Sequence, residues 1–259
     1  MELGGNTVLV TGGTSGIGLE LARQLLNHGN KVIITGRDQK KLDAAQDQLN
    51  GVVAIQSDVS DPDDIKSLYQ NIQKNHPELN VLINNAGIMK KINLQQHELS
   101  AQELTQEIDV NVKGPIWMTD TFLPHLKEKP KAAVVNVSSG LAFVPLPVSP
   151  VYCATKSSLH FYTLSLREQL SNTNVSVFEL APPATKTDIL GAFNQKDLDG
   201  TAIMSTQDMV ADFVKGFSKD NYEIRPGQSN QLKFMSRFFP NFILKQLSKN
   251  IAAMHADMR

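Results

Sequence analysis

Apolar residues fall into two alternating patterns along the chain. Short unbroken runs rich in valine and isoleucine occur at residues 7–11 (TVLVT), 31–35 (KVIIT), 52–57 (VVAIQS), 80–84 (NVLIN), 132–137 (AAVVNV) and 175–180 (VSVFEL). Each has the length and β-branched content of a buried strand. Between them the spacing changes to that of helices. In 16–28 the apolar positions are Ile17, Leu19, Leu21, Ala22, Leu25 and Leu26. A polar helix is predicted near 38–50, and another opens at Asp61-Pro62, an N-cap followed by proline in the first turn. Long helices are predicted over 100–127 and 150–172. Strands alternating with helices predict an α/β chain with a doubly wound parallel sheet. Such a sheet binds ligands outside the C-terminal ends of its strands.

After residue 184 the alternation fails. Residues 186–206 read as an excursion, 222–226 (YEIRP) as a last strand, and 230–254 as a helical stretch interrupted by Pro240. We expect one domain spanning 1–259, with a substrate lid over 186–210 and a C-terminal helical extension over 228–259.

Composition narrows the field by exclusion. A net charge of −1 gives no reason to expect nucleic acid as a partner. The one cysteine, Cys153, permits no internal disulfide, which fits a reducing compartment. No signal peptide or spanning run is expected, so the predicted location is cytoplasmic. The six histidines are scattered without an HExxH pair, so no metal is expected.

The candidate chemistry follows the predicted strands. TGGTSGIG at 11–18 lies between a strand and a helix. Glycines 12, 16 and 18 let the backbone turn sharply and let a pyrophosphate approach a helix N-terminus. The spacing differs from that of a triphosphate P-loop. After the second strand the residue that would accept from a ribose 2′-hydroxyl is neutral Thr35 or Gly36, and Arg37 follows. A guanidinium suits a 2′-phosphate, which favours NADP over NAD. Asp38 is read as a helix cap, with an action against the phosphate as the alternative, and Ser15 could add a hydroxyl to the phosphate site. Tyr152 and Lys156, four apart, share one helix face. Alone, such a pair is more often a solvated surface.

Together, TGGTSGIG, NNAG at 84–87, VNVKG at 110–114, Ser139 and YCATK at 152–156 resemble the short-chain dehydrogenase/reductase family, and within it the DltE-type bacterial oxidoreductases. The resemblance covers roughly residues 5–190 and implies a Rossmann fold and an NADP(H)-preferring oxidoreductase. It implies that Gly12, Ser15, Gly16, Ile17 and Gly18 form the pyrophosphate loop. Arg37 then selects the adenosine ribose, Asp58 and Val59 lie beside the adenine, and Asn85 supports the central strand and the cofactor. Asn111, Ser139, Tyr152 and Lys156 become the catalytic tetrad. The family's proline-glycine after the sixth strand reads Pro182-Pro183 here, followed by Thr185 and Thr187, which are expected on the nicotinamide side.

The chemistry makes sense of these residue types. Reducing a ketone needs a hydride on carbon, from the cofactor, and a proton on oxygen. A phenol of ordinary pKa is a poor acid-base group at neutral pH. Lys156 is expected to lower it, and Ser149-Pro150, read as N-cap and first helical residue, puts Tyr152 at the positive end of a helix. Ser139 is expected to hold the carbonyl oxygen, Asn111 a water that relays protons to Lys156. Cys153 is read as a packed thiol and His160 as an ordinary helix histidine.

Met89, Leu141, Phe143, Pro145, Leu146 and Met204 are candidate pocket residues. A small carbonyl or alcohol substrate and a homodimer or homotetramer are expected as partners. The basic, aromatic stretch 232–251 suits a membrane surface, but packing over the pocket or against a second subunit is the preferred reading. The alternative function is a catalytically silent nucleotide-sensing or membrane-associated binding protein on the same fold. An epimerase or dehydratase acting on nucleotide sugars is disfavoured, because about 70 C-terminal residues are few for a substrate domain.

Overall fold

Unbroken runs of branched apolar residues favour strands covered on both faces. The computed structural model describes residues 1–194, 198, 200–249, 251 and 254. Among them, strands β1 (Thr7–Thr11), β2 (Lys31–Gly36), β3 (Val53–Gln56), β4 (Val81–Asn84), β5 (Ala132–Val137), β6 (Val175–Leu180) and β7 (Glu223–Ile224) form one sheet. Its order is β3-β2-β1-β4-β5-β6-β7, with every pairing parallel. The order reverses between β1 and β4, which opens a crevice above β1.

Alternate strand residues feed opposite layers. Val8 and Val10 pack with Leu21 and Leu25 of α1 (Gly16–Asn27), Leu42 of α2 (Gln39–Gln48), and Phe213 and Phe217 of α7 (Thr206–Ser218). Leu9 packs on the other side with Leu68 and Ile72 of α3 (Pro62–Asn75), Phe122 of α5 (Gly114–Lys127) and Leu166 of α6 (Pro150–Gln169). The starts of these helices are chemically marked. The Asp61 carboxylate accepts from the N–H of Asp63 at 2.8 Å, with Pro62 in the first turn. Asp38 accepts from the N–H of Lys41 at 3.2 Å, so its cap role holds.

The structure departs from the periodicity in several places. The helix expected over 100–127 is three pieces: α4 (Ala101–Ile108), a π-helical turn (Asp109–Lys113) and α5. Pro115 explains the wide turn. It has no N–H for the carbonyl of Asn111, four residues earlier, and its ring crowds that carbonyl. Helix α7 was not predicted. Pro240 starts a helix rather than interrupting one, separating α8 (Ser229–Phe238) from α9 (Pro240–Leu247).

In the expected lid, a 3-10 turn covers Asp188–Ala192, and Thr185 bridges Met204. Residues 195–197 and 199 of that lid lie outside the described residues, as do 250, 252, 253 and 255–259 of the C-terminal extension. No helix among the described residues is long and apolar enough to cross a membrane.

Candidate active site

The loop after β1 packs too closely for side chains. A Cβ on Gly12 would lie 2.8 Å from the Cα of Ala86. One on Gly18 would lie 2.5 Å from Asn85 Nδ2 and closer still to the Gly12 carbonyl oxygen. Gly12 and Gly16 also take φ values of +65° and +54°, which glycine adopts without strain. Asn85 ties this loop to the end of β4: Nδ2 donates to the carbonyls of Thr11 at 2.8 Å and Gly12 at 3.1 Å. Thr11 Oγ1 in turn accepts from the N–H groups of Asn85 and Ala86, both at 3.0 Å. Asn84 points into the sheet layer and donates to Asn136 Oδ1 at 2.8 Å.

A cavity of about 850 Å³ runs along the C-terminal strand ends. Gly12, Ser15, Gly16, Ile17 and Gly18 line one end of it, with Arg37, Asp58, Val59 and Asn85. Asp58 also closes its own turn, accepting from the N–H and hydroxyl of Ser60 at 2.9 and 2.7 Å. Lys41, one turn beyond Arg37, lines the same end. Sequence reading passed over it as part of a polar helix, although its place in the first turn after the Asp38 cap, close in sequence to Arg37, was the available signal.

Ser139, Tyr152, Lys156, Thr185 and Thr187 line the other end. The Thr185 hydroxyl donates to the Pro183 carbonyl at 2.9 Å, and that of Thr187 to the Thr185 carbonyl at 3.2 Å. Of the candidate pocket residues, Met89, Leu141 and Leu146 border the cavity. Phe143, Pro145 and Met204 do not. Phe143 meets the His160 ring edge-on at 5.0 Å, Pro145 is exposed, and Met204 belongs to the strap that bridges Thr185.

Ser139, Tyr152 and Lys156 meet at this end from the loop after β5 and from α6, while Asn111, on the π-turn, does not border the cavity. Ser139 follows β5, and its Oγ accepts from the N–H of Leu141 at 3.1 Å. Helix α6 begins at Pro150, so Tyr152 is in its first turn as expected. Ser149 occupies the N-cap position, but its side chain makes no cap hydrogen bond.

Lys156 lies over the Tyr152 ring, on the helix face the spacing suggested. Its Nζ donates to the Val137 carbonyl at 2.8 Å and lies 5.7 Å from the centroid of the Tyr152 ring. Burial lowers the Lys156 pKa to about 8. Burial also raises the Tyr152 phenol, with the Ser139 hydroxyl pulling partly the other way. The expected lowering of the tyrosine is therefore reversed in the protein alone, because desolvation outweighs every partner the phenol has.

The Asn111 side chain is held by the protein. It is fully buried, and its amide is engaged by protein. Oδ1 accepts from the N–H of Ile88 at 2.9 Å, while Nδ2 donates to the Ile88 carbonyl at 2.9 Å and to Thr155 Oγ1 at 3.1 Å. The Thr155 hydroxyl donates to the Tyr152 carbonyl at 2.7 Å. Asn111 thus braces the β4 loop against the first turn of α6. Gly87 sits between the two groups: a Cβ there would lie 3.3 Å from Asn111 Oδ1 and 3.5 Å from Lys156 Nζ.

The family profile described as short chain dehydrogenase matches residues 6–198. The chain belongs to the short-chain dehydrogenase family. This short-chain dehydrogenase is 41% identical over 252 residues to the uncharacterized oxidoreductase DltE of Bacillus subtilis (strain 168), covering 96% of this chain and 98% of that one. Its fold matches a short-chain dehydrogenase/reductase of Burkholderia phymatum solved with NAD, at TM-score 0.83 and 22% identity, over 95% of this chain and 96% of that one. It also matches a short-chain dehydrogenase of Burkholderia cenocepacia solved with NADP, at TM-score 0.82 and 22% identity, over 95% and 99% of the two chains. The chain is an oxidoreductase of the DltE type.

Behind this oxidoreductase's Ser139 lies a polar cluster that sequence reading missed. Glu179, fully buried on β6, accepts from the Ser138 hydroxyl and lies 2.8 Å from His160 Nδ1. His160 is therefore not an ordinary helix histidine. His160, Glu179 and Glu223 bring ligand atoms within 4.8 Å of one another. Protein donors already occupy them, since Glu223 accepts from Arg225 at 3.0 Å and from Lys233. Cys153 is the packed thiol expected: it accepts from the N–H of Leu146, and burial raises its pKa to about 11.

Proposed function

We propose that the protein catalyses hydride transfer between NADP(H) and a carbonyl or alcohol substrate, with Tyr152 as general acid and base. The observation that carries this reading is one cavity bordered by the glycine loop and Arg37 at one end and by Ser139, Tyr152 and Lys156 at the other.

The residues suit such a cofactor. The cradle at Gly12 and Gly18, which any Cβ would fill, suits a pyrophosphate at the start of α1. Arg37 and Lys41 suit a 2′-phosphate. The similar Burkholderia structures hold NAD in one case and NADP in the other, so the preference rests on these two cations. When bound, the nicotinamide supplies the hydride.

The chain's own groups handle the proton. Tyr152, its phenol raised by burial, stays protonated at neutral pH and donates to the substrate oxygen during reduction. Lys156, cationic below about pH 8, stabilises the phenolate that this leaves. Ser139 holds the substrate oxygen beside the phenol. Asn111 acts as the brace that fixes the first turn of α6. Residues 186–210 serve as a lid, since Ile189, Leu190 and Phe193 border the cavity. A homodimer or homotetramer forms through α4–α5 and α6, on which Ile108 and Phe161 are exposed.

A panel of carbonyls and alcohols, read by reduced-nicotinamide absorbance with each cofactor, tests the function. Tyr152→Phe should lower turnover by about 10²–10⁴-fold while keeping the cofactor-induced rise in melting temperature. Unchanged turnover would overturn the assignment.

A further inference from the structure

Helices α8 and α9 carry an apolar surface that stays exposed among the described residues. Phe234 and Phe238 lie one turn apart with ring centroids at 4.8 Å, and Phe239 stands 6.3 Å from Phe234. Phe238 is 59% exposed and Phe242 55%, with Phe234, Phe239 and Leu244 also exposed. Exposed aromatic side chains at this density in one short segment mark an interaction face.

Its charge identifies the kind of partner. Residues 229–251 contain Lys233, Arg237, Lys245 and Lys249 and no aspartate or glutamate, in a chain whose net charge is −1. Lys233 is spent internally, on Glu223 and over the Phe143 ring at 5.2 Å. Arg237, Lys245 and Lys249 are exposed beside the phenylalanines. Apolar rings flanked by cations suit a bilayer interface, where rings enter the acyl boundary and cations meet lipid phosphates. A second copy suits the face less well, because a two-fold contact sets the same patch against itself and brings cations onto cations.

We infer that the α8–α9 face docks on an anionic lipid surface. The same helices border the cavity through Leu232, Gln246 and Leu247, with Lys249 just beyond α9, so docking brings that side of the cavity to the level of the headgroups. The absence of a spanning helix among the described residues makes this a surface contact rather than an insertion.

The test is flotation of the full chain with vesicles of phosphatidylcholine and with vesicles in which about one third of the lipid is phosphatidylglycerol, at low salt. The inference expects binding to the anionic vesicles that weakens with added salt. Phe238→Ser with Phe242→Ser should lower the partition coefficient at least about tenfold. Arg237→Ser with Lys245→Ser should lower it roughly twenty-fivefold on anionic vesicles, at about fivefold per charge. All four side chains are exposed, and circular-dichroism melting checks that both variants stay folded. Absent binding, or binding indifferent to the phenylalanine pair, overturns the inference. So does light scattering in which that pair of substitutions converts an oligomer to monomer, which would make the face a subunit interface. No step measures turnover, so a protein inactive on every carbonyl still gives an answer.

Discussion

Replacing Lys156 by methionine should make the fold more stable at neutral pH while abolishing turnover. In the native protein the amine titrates at about 8 instead of 10.5, because burial disfavours its charge. The sign follows from linkage: a base whose folded pKa is depressed costs stability when both states are protonated, and the cost fades as pH rises toward the unfolded value. At about 1.4 kcal/mol per unit, the charged amine costs roughly 3 kcal/mol at about pH 7 and roughly 1 kcal/mol at about pH 10. Against this stands the hydrogen bond to the Val137 carbonyl, whose loss costs about 1–3 kcal/mol at either pH. The variant's stability relative to wild type should therefore fall by about 2 kcal/mol between these two pH values. Urea denaturation of both proteins, without cofactor, measures the difference directly. A difference that does not change with pH would refute the claim that a buried ammonium is held in this site.

Three further expectations concern the cofactor end and the site's surroundings. Gly18→Ala should abolish the cofactor-induced shift in melting temperature, because its Cβ meets Asn85 Nδ2 at 2.5 Å, whereas Gly191→Ala, with nothing within 4 Å, should leave the shift intact. Arg37→Ala should weaken NADPH binding by about tenfold to a hundredfold and NADH binding little; equal losses in titration would refute the selectivity assigned to the guanidinium. Glu107, fully buried with only the Lys90 N–H on its carboxylate and Oε2 unpartnered, has its pKa raised by burial, opposed by Lys90. A raised carboxyl costs stability as pH climbs through the unfolded value. Glu107→Gln should therefore raise the melting temperature at about pH 7 and not at about pH 4, and an equal effect at both would contradict the assignment.

The strands were legible because a run such as Ala132–Val137, buried at every position, has no other low-cost place to go. The glycine loop was legible for a similar reason: its contacts forbid side chains, so the residue type records the geometry. Helix α7 carried a readable face in Met209, Val210, Phe213 and Phe217, and was missed because the stretch between the lid and the last strand was left unassigned. The internal break at Asn111 needed Pro115 to be read backwards, as a donor missing one turn away. Charge states were the least legible. The spacing of Tyr152 and Lys156 suggests mutual stabilisation, but pKa depends on the depth of burial, which many distant residues set together. The Glu179–His160 pair was hidden because its partners lie 19 residues apart on different elements.

The π-turn at Asp109–Lys113 sets a rule for which length changes the chain can absorb. In a regular helix each residue advances about 100° around the axis, and a wide turn carries in effect one residue more than the regular path needs. Glu107 before the turn and Met118 and Phe122 after it all reach buried positions in this register. Removing one residue other than Asn111 between 109 and 113 would return this stretch to the regular path and keep α4 and α5 in register, at the cost of setting the Pro115 ring against the carbonyl one turn back, whereas adding one would turn α5 by about that angle relative to α4. After such an addition the inward faces of the two helices could no longer be buried together. Gains in length are therefore constrained here more tightly than losses, although four of the turn's five side chains lie outside the tetrad.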